Sequence, residues 1–296
     1  MRNLRFHQTM LLAAALLTFG AHADAVRSAI APQAPSTNNA SALDTAASKG
    51  DAVAVAALLT GGADANARDN NGATPVMFAA GHGSADVVKL LLDHGAEINA
   101  KDKKGYTALM YDAISGTLDI AKLLLDRGAD AAAKDNDGLT AFMYAAASGH
   151  DDIAALLLTR GTDVNGRTNH GFTALMYAAE YGHTNVVTFL VAHGADPNAK
   201  ADDGTTPLAE ALEADSVASA TLLLDHAADA NSRDKDGWTP LMFAALYVGT
   251  PDVATLLIDH HADVNAKNRK GESVLKIALN AGRDDMVAVL RQSGAK

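Results

Sequence analysis

Residues 102–134 read DKKGYTALMYDAISGTLDIAKLLLDRGADAAAK, and this stretch decides the fold. Asp102 to Gly105 has the composition of a tight turn, with a glycine available for positive φ. Thr107 is placed to cap a first helix over 108–115, whose small residues allow close packing, and Gly116 ends it. Asp119 falls in the first turn of a second helix, where a carboxylate suits the positive end of the dipole. Ile120, Leu123 and Leu124 give that helix one apolar face at i, i+3, i+4. Arg127 suits its negative pole, and Gly128 can take the left-handed closing conformation. A helix pair this short cannot bury its own apolar face, so it has to stack on copies of itself.

The copies are present. Gly72, Gly105, Gly138, Gly171, Gly204 and Gly237 recur every 33 residues, and Gly271 follows at 34. Two positions later each has a hydroxyl: Thr74, Thr107, Thr140, Thr173, Thr206, Thr239 and Ser273. A second column runs Gly50, Gly83, Gly116, Gly149, Gly182 and Gly282, and a third Gly62, Gly95, Gly128, Gly161, Gly194 and Gly294. Nineteen of the 24 glycines fall in these columns, so glycine here is punctuation and not linker composition. The units are 41–68, 69–101, 102–134, 135–167, 168–200, 201–233, 234–267 and 268–296. The first lacks the turn at its tip. The last stops just after its second helix and carries Lys276 where interior units have Met, as expected of end caps facing water.

The recurring motif is Asp-x-x-Gly-x-Thr-Pro-Leu, then Ala-Ala, Gly-His, an apolar run, and Gly-Ala-Asp-x-Asn-Ala. It stands almost complete as DKDGWTPL at 234–241, AAEYGHTNVV at 178–187 and GADPNAK at 194–200. This resembles the ankyrin repeat over residues 41–296, nearly the whole chain. The resemblance implies a mainly α repeat solenoid of seven to eight stacked units, each a β-hairpin tip plus an antiparallel helix pair. It also implies a protein partner held by the tips and the concave face of the first helices. The family usually has His after Thr-Pro-Leu. Here Met77, Met110, Met143, Met176 and Met242 stand there instead, which puts the family's hydrogen bonding between repeats in doubt.

Composition narrows the function. The net charge is −11 and aromatics are only 5%, against both a phosphate-backbone binder and a base-stacking platform. With no cysteine, disulfides and thiolate chemistry are excluded. No HExxH, GxxxxGK[ST], GxSxG or strand-borne GxGxxG motif occurs, so no enzyme is expected and no cofactor.

Residues 1–23 carry Arg2 and Arg5, then the apolar run MLLAAALLTF at 10–19, then Ala21-His22-Ala23. That order is expected of a secretory signal peptide cut before Asp24, since the run is too short to span a bilayer. Residues 24–40 read as a flexible leader. The product is expected to be a soluble monomer in a periplasm or outside the cell, free of nucleic acid and membrane.

Several columns could be mistaken for sites. Acids at Asp64, Glu97, Asp130, Asp163, Asp196, Asp229 and Asp263, and bases at Arg68, Lys101, Lys134, Arg167, Lys200, Arg233 and Lys267, supply one group per layer. Acid and base ladders along the hairpins are expected from them, not a calcium loop. His94, His193, His226 and His260 alternate with Arg127 and Arg160 at the ends of second helices, which points to helix-end charge. A metal-handling protein using the methionine row or His260 and His261 is the rival reading, and a secreted effector acting on a host protein is another.

Recognition is expected where the fold leaves residue type free. After the tip glycine stand Tyr106, Leu139, Phe172 and Trp238, with Ala73, Thr205 and Glu272 in the same column. Large apolar groups at exposed tips mark binding, unless they lie over neighbouring hairpins. By the resemblance, Ile114, Glu180, Tyr181, Leu246 and Tyr247 line the concave face, whereas Phe78, Tyr111, Tyr144, Tyr177 and Phe243 belong to the core. Unit 201–233 is irregular, with Asp215 and Ala227 in glycine columns and Ser219-Ala220 for the usual Val pair, and is expected to be a weak joint.

Overall fold

A computed structural model describes residues 42–248 and 250–296. The expected signal peptide at 1–23 and the expected leader at 24–40 lie outside the described residues, as does residue 249. Eight first helices, α1 Ala42–Ser48, α3 Pro75–Gly81, α5 Ala108–Ser115, α7 Ala141–Ser148, α9 Ala174–Glu180, α11 Pro207–Glu213, α13 Pro240–Tyr247 and α15 Val274–Ala281, form one layer. The second layer holds α2 Ala52–Thr60, α4 Ala85–Asp93, α6 Leu118–Asp126, α8 Asp151–Thr159, α10 Thr184–Ala192, α12 Val217–Asp225, α14 Asp252–Asp259 and α16 Asp284–Gln292. Each helix pair touches the pair before and the pair after it. This is a mainly α solenoid.

The local expectations for 102–134 hold. Thr107 Oγ1 accepts from the Met110 amide at 3.4 Å, and Thr140 and Thr173 repeat this bond on Met143 and Met176. Gly116 closes α5 at φ 86°, and Asp119 sits in the first turn of α6. The five methionines are buried among the apolar side chains. Lys276 is exposed at the end of the stack, and the large hydrophobics left exposed among the described residues, Val53 and Leu279, lie in the two end units.

Neighbouring first helices make closer contact than neighbouring second helices. Their sequences explain it: AFMYAAAS and ALMYAAE place alanines at the interface, so backbones approach, while the leucine-rich second helices are held further apart. A stack with one tight layer and one loose layer bends toward the tight one, so the first helices line the concave side.

The tips differ from the expected β-hairpins. Each closes on two backbone bonds, such as Asp102 N to Tyr106 O and Gly105 N to Asp102 O, both at 3.0 Å, and is tied to the next tip by another, such as Asn136 N to Lys104 O at 3.0 Å. Among the described residues a single bridge, Lys267 with Ser273, has strand character. Four residues are too few for a ladder.

The acid and base ladders also need correction. Asp64, Asp130, Asp163, Asp196, Asp229 and Asp263 each accept from the amide two residues on, closing their own turns. The bases reach past them to the next unit's backbone: Arg68 to Lys101 O, Lys101 to Lys134 O, Lys134 to Arg167 O, Arg167 to Lys200 O and Arg233 to Lys267 O. Between the two columns Arg68 pairs with Glu97 at 3.9 Å, with both side chains open to water and so of little energetic weight.

The strongest polar seam is made of asparagines. Asn66, Asn99, Asn165, Asn198, Asn231 and Asn265 each donate from Nδ2 to the carbonyl that closes the next unit. The same six accept at Oδ1 from an amide just beyond it. One rung is missing, because Ala132 occupies the asparagine position of unit 102–134. There a hollow of about 310 Å3 opens between Ala132, Arg160, Gly161 and Thr162, and the Thr162 hydroxyl is buried without a partner. Ala132→Asn can supply the Gly161 carbonyl and the Asp163 amide, and is expected to stabilise the fold by about 1–2 kcal/mol, two net hydrogen bonds. Urea unfolding of both proteins measures this, and Asn165→Ala should show the reverse sign.

The irregular unit keeps the geometry of its neighbours. Asp215 and Ala227 take φ 53° and 65° in the glycine columns, a strain of about 1 kcal/mol each for a side chain in that region. Ser219 is buried, and its hydroxyl is satisfied by Ser216 and Thr184, both at 2.9 Å.

Candidate interaction surface

The tip side chains are not exposed anchors. Tyr106 is 8% exposed, Leu139 4% and Phe172 7%, and Trp238 is half-buried. The rings turn inward over the aromatic column of the first helices. Tyr106 meets Tyr111 at 5.9 Å and Tyr144 at 5.4 Å, both edge to face, while Phe172 lies 5.6 Å from Tyr177 and Trp238 5.4 Å from Phe243. Such aromatic pairs add stability beyond the area they bury. The expectation of exposed tips is therefore corrected: these rings lock the tips to the helices.

A carboxylate completes the lock. Asp102 accepts the Lys104 and Tyr106 amides with Oδ1 and the Tyr111 hydroxyl with Oδ2, the last at 3.1 Å. Asp135 does the same for Asp137, Leu139 and Tyr144, with the phenol at 2.6 Å. Burial pushes the Asp135 carboxyl up, with the Tyr144 hydroxyl and two backbone amides opposing.

Ile114, Tyr181, Leu246 and Tyr247 are half-buried at the ends of α5, α9 and α13, every second first helix, on the concave side. Tyr181 stacks on His183 at 6.5 Å and Tyr247 on Phe243 at 6.4 Å. The structure brings these four to one face and separates them from the tip set.

Beside the expected Glu180 stand two acids, Glu210 and Glu213, that the sequence reading did not single out. Glu180 and Glu213 occupy the same place in adjacent units, and Glu210 occupies the aromatic column between Tyr177 and Phe243. Glu210 is 4% exposed. Burial, then Glu180 and Glu213, hold its carboxyl well above the usual range. Burial and then Glu180 push Glu213 up to about 7. The signal was available as two exceptions: acids where other units carry an aromatic or an uncharged residue. Asp112 is a similar exception, fully buried in a column otherwise filled by Ala46, Ala79, Ala145, Ala178, Ala211, Ala244 and Ala278.

The groups behind the metal reading lie apart. His94, His193 and His226 direct Nδ1 at carbonyls of their own helices, and Arg127 and Arg160 pair with Asp93 and Asp126 of the preceding unit, both at 2.9 Å. His260 has Asp225 at 3.9 Å, and His261 takes φ 67° in a glycine column. Among the described residues no group of three or more His, Asp or Glu is placed to hold a metal ion. No described helix is long and apolar enough to cross a membrane.

The family model for ankyrin repeats (three copies) matches residues 10–102, 43–135, 109–201, 160–234, 198–268 and 228–296. No curated protein matches the chain significantly. Such repeats generally serve as protein–protein interaction modules and are typically non-enzymatic. With matches over almost its whole length and eight stacked helix pairs beneath them, the chain belongs to the ankyrin-repeat family.

Proposed function

We propose that this is an exported, non-enzymatic ankyrin-repeat protein that binds a partner protein on the concave face of its first helices. The observation that carries the reading is the contrast between two sets of large apolar side chains. The tip rings are used up in the fold, whereas Ile114, Tyr181, Leu246 and Tyr247 are left half-open on one continuous face. Tyrosine anchors such as Tyr181 and Tyr247 are among the residue types that dominate interface energetics. The basic start, short apolar run and Ala21-His22-Ala23 exit of residues 1–23 support export, to a periplasm or beyond the cell.

In-cell crosslinking followed by affinity capture tests both parts. The recovered chain should begin at Asp24. Ile114→Ala/Leu246→Ala should recover at least tenfold less partner than wild type while unfolding at a similar temperature. Tyr106→Ala/Phe172→Ala should instead lower the unfolding temperature. Equal capture by wild type and Ile114→Ala/Leu246→Ala at matched folding would sink the concave-face reading.

A further inference from the structure

Two departures from the repeat meet at one junction. Ala132 stands in the asparagine column of unit 102–134, and Thr162 stands in unit 135–167 where the column otherwise reads alanine, as at Ala129 and Ala195. Both line the hollow of about 310 Å3 between the two units. Buried Leu125 and half-buried Ala129 and Ala131 give it apolar walls, whereas Ala132 and Gly161 are exposed, so it opens to solvent. Arg160, which also lines it, is held by Asp126 at 2.9 Å.

The rung that Ala132 cannot make leaves a pair of backbone groups open. On one side Asn99 spans the Gly128 carbonyl at 3.1 Å and the Asp130 amide at 2.9 Å. On the other Asn165 spans the Gly194 carbonyl at 3.0 Å and the Asp196 amide at 2.8 Å. The corresponding pair here is the Gly161 carbonyl and the Asp163 amide, and neither has a protein partner among the described residues. Gly161 holds φ 84°, against 93° at Gly128 and 87° at Gly194, so the backbone keeps the geometry of the filled rungs. A pair set in advance costs no ordering when it binds.

Such a pair calls for one acceptor and one donor side by side. A primary carboxamide presents them so, as the asparagines of the seam do. A trans peptide group points its C=O and N–H in opposite directions and cannot reach both. A carboxylate has no N–H for the Gly161 carbonyl, and a guanidinium has no acceptor for the Asp163 amide.

We propose that this hollow binds a primary carboxamide from outside the chain, in the place of the missing asparagine side chain. The amide is carried either by an Asn or Gln side chain of a peptide or by a free small molecule. The site lies beyond the ends of α6 and α8, in the second layer, and does not depend on the concave-face reading.

Heteronuclear NMR titration of the folded chain tests it, with acetamide, N-methylacetamide, acetate, Gly-Asn-Gly and Gly-Asp-Gly as probes. Expected are saturable shifts of the Thr162 and Asp163 amides with acetamide, and at least tenfold weaker binding of N-methylacetamide, acetate and Gly-Asp-Gly. The amides of Asp130 and Asp196, already bonded to Asn99 and Asn165, should stay in place. Gly-Asn-Gly binding at least as tightly as acetamide assigns the source to a peptide, and acetamide binding alone assigns it to free amides. Ala132→Asn fills the rung from within and should abolish the shifts while raising the urea midpoint, so that unfolding is not the cause. Ala132→Leu, at the same exposed position, fills the hollow without an amide and should abolish them too. No saturable shift, equal binding of N-methylacetamide or acetate, equal shifts at Asp130 and Asp196, or shifts that persist in both variants would each overturn the site. Each of those results would leave the concave face standing, because Ile114 and Leu246 take no part in them.

Discussion

Asp112→Ala is expected to stabilise the folded chain by roughly 3–4 kcal/mol at pH 7, although most substitutions of buried residues destabilise. Burial lifts the Asp112 carboxyl to about 8. The Thr117 amide opposes this and Asp152 adds to it. Neither carboxylate oxygen is in hydrogen-bond geometry with any group, so the amide acts from beyond bonding distance or angle. The folded pKa is raised above the ordinary 3.8, so the cost is absent below about pH 4, grows as pH rises, and levels off above pH 8. Alanine occupies this position in the other units, so no cavity alien to the fold is made. It can also restore a backbone bond. Elsewhere the second helix's entry amide donates to the alanine carbonyl, as Ser84 to Ala79 and His150 to Ala145, whereas here Gly116 donates to Asp112 at 2.8 Å. Urea midpoints at pH 5, 6, 7 and 8 measure the gap between wild type and variant. It should open with pH, and a gap constant over that range would show that ionisation is not its cause.

The second large effect is Gly138→Ala, expected to cost several kcal/mol and to split unfolding into two steps, where Gly161→Ala costs only about 1 kcal/mol. Both residues have positive φ, 86° and 84°. They differ in what a Cβ would meet. At Gly138 it would come within 2.7 Å of the Asn169 backbone nitrogen, which donates at 2.9 Å to Asp137 O and joins one tip to the next. At Gly161 it would meet nothing within 4 Å. The chain has already made the second experiment, since Ala227 and His261 occupy that column at φ 65° and 67°. In a solenoid each unit is stabilised largely by its neighbours, so parting two tips uncouples the blocks on either side. Circular dichroism through a urea gradient would show the split, and a single transition near the wild-type midpoint for Gly138→Ala would refute it.

Period made the fold legible. Thirty-three-residue recurrence, with turn, cap and closing glycine in fixed order, leaves few arrangements open, and the stacked pairs follow. The surface was harder. Tyr106, Leu139 and Phe172 sit where the repeat tolerates any residue, and freedom of type resembles freedom in space. In fact the tip folds back, and the aromatic column beneath accepts the ring. Glu210 and Glu213 carry no motif, because Glu210 is meaningful only beside Tyr177, a residue 33 positions earlier, and Glu213 only beside Glu180. Their signature is departure from a column, which only alignment of the units against one another exposes.

The asparagine seam has a bearing on how long such a chain can be. Each rung reaches its acceptor carbonyl 29 or 30 residues ahead and its donor amide 31 or 32 ahead, so it makes no reference to which unit it belongs to. A duplicated unit carrying its asparagine would find its register at once, whichever neighbours flanked it. The molecule is in this sense written in an open grammar: its length is set by where copying stopped and capping began, and the groove can be extended without redesigning the units already there.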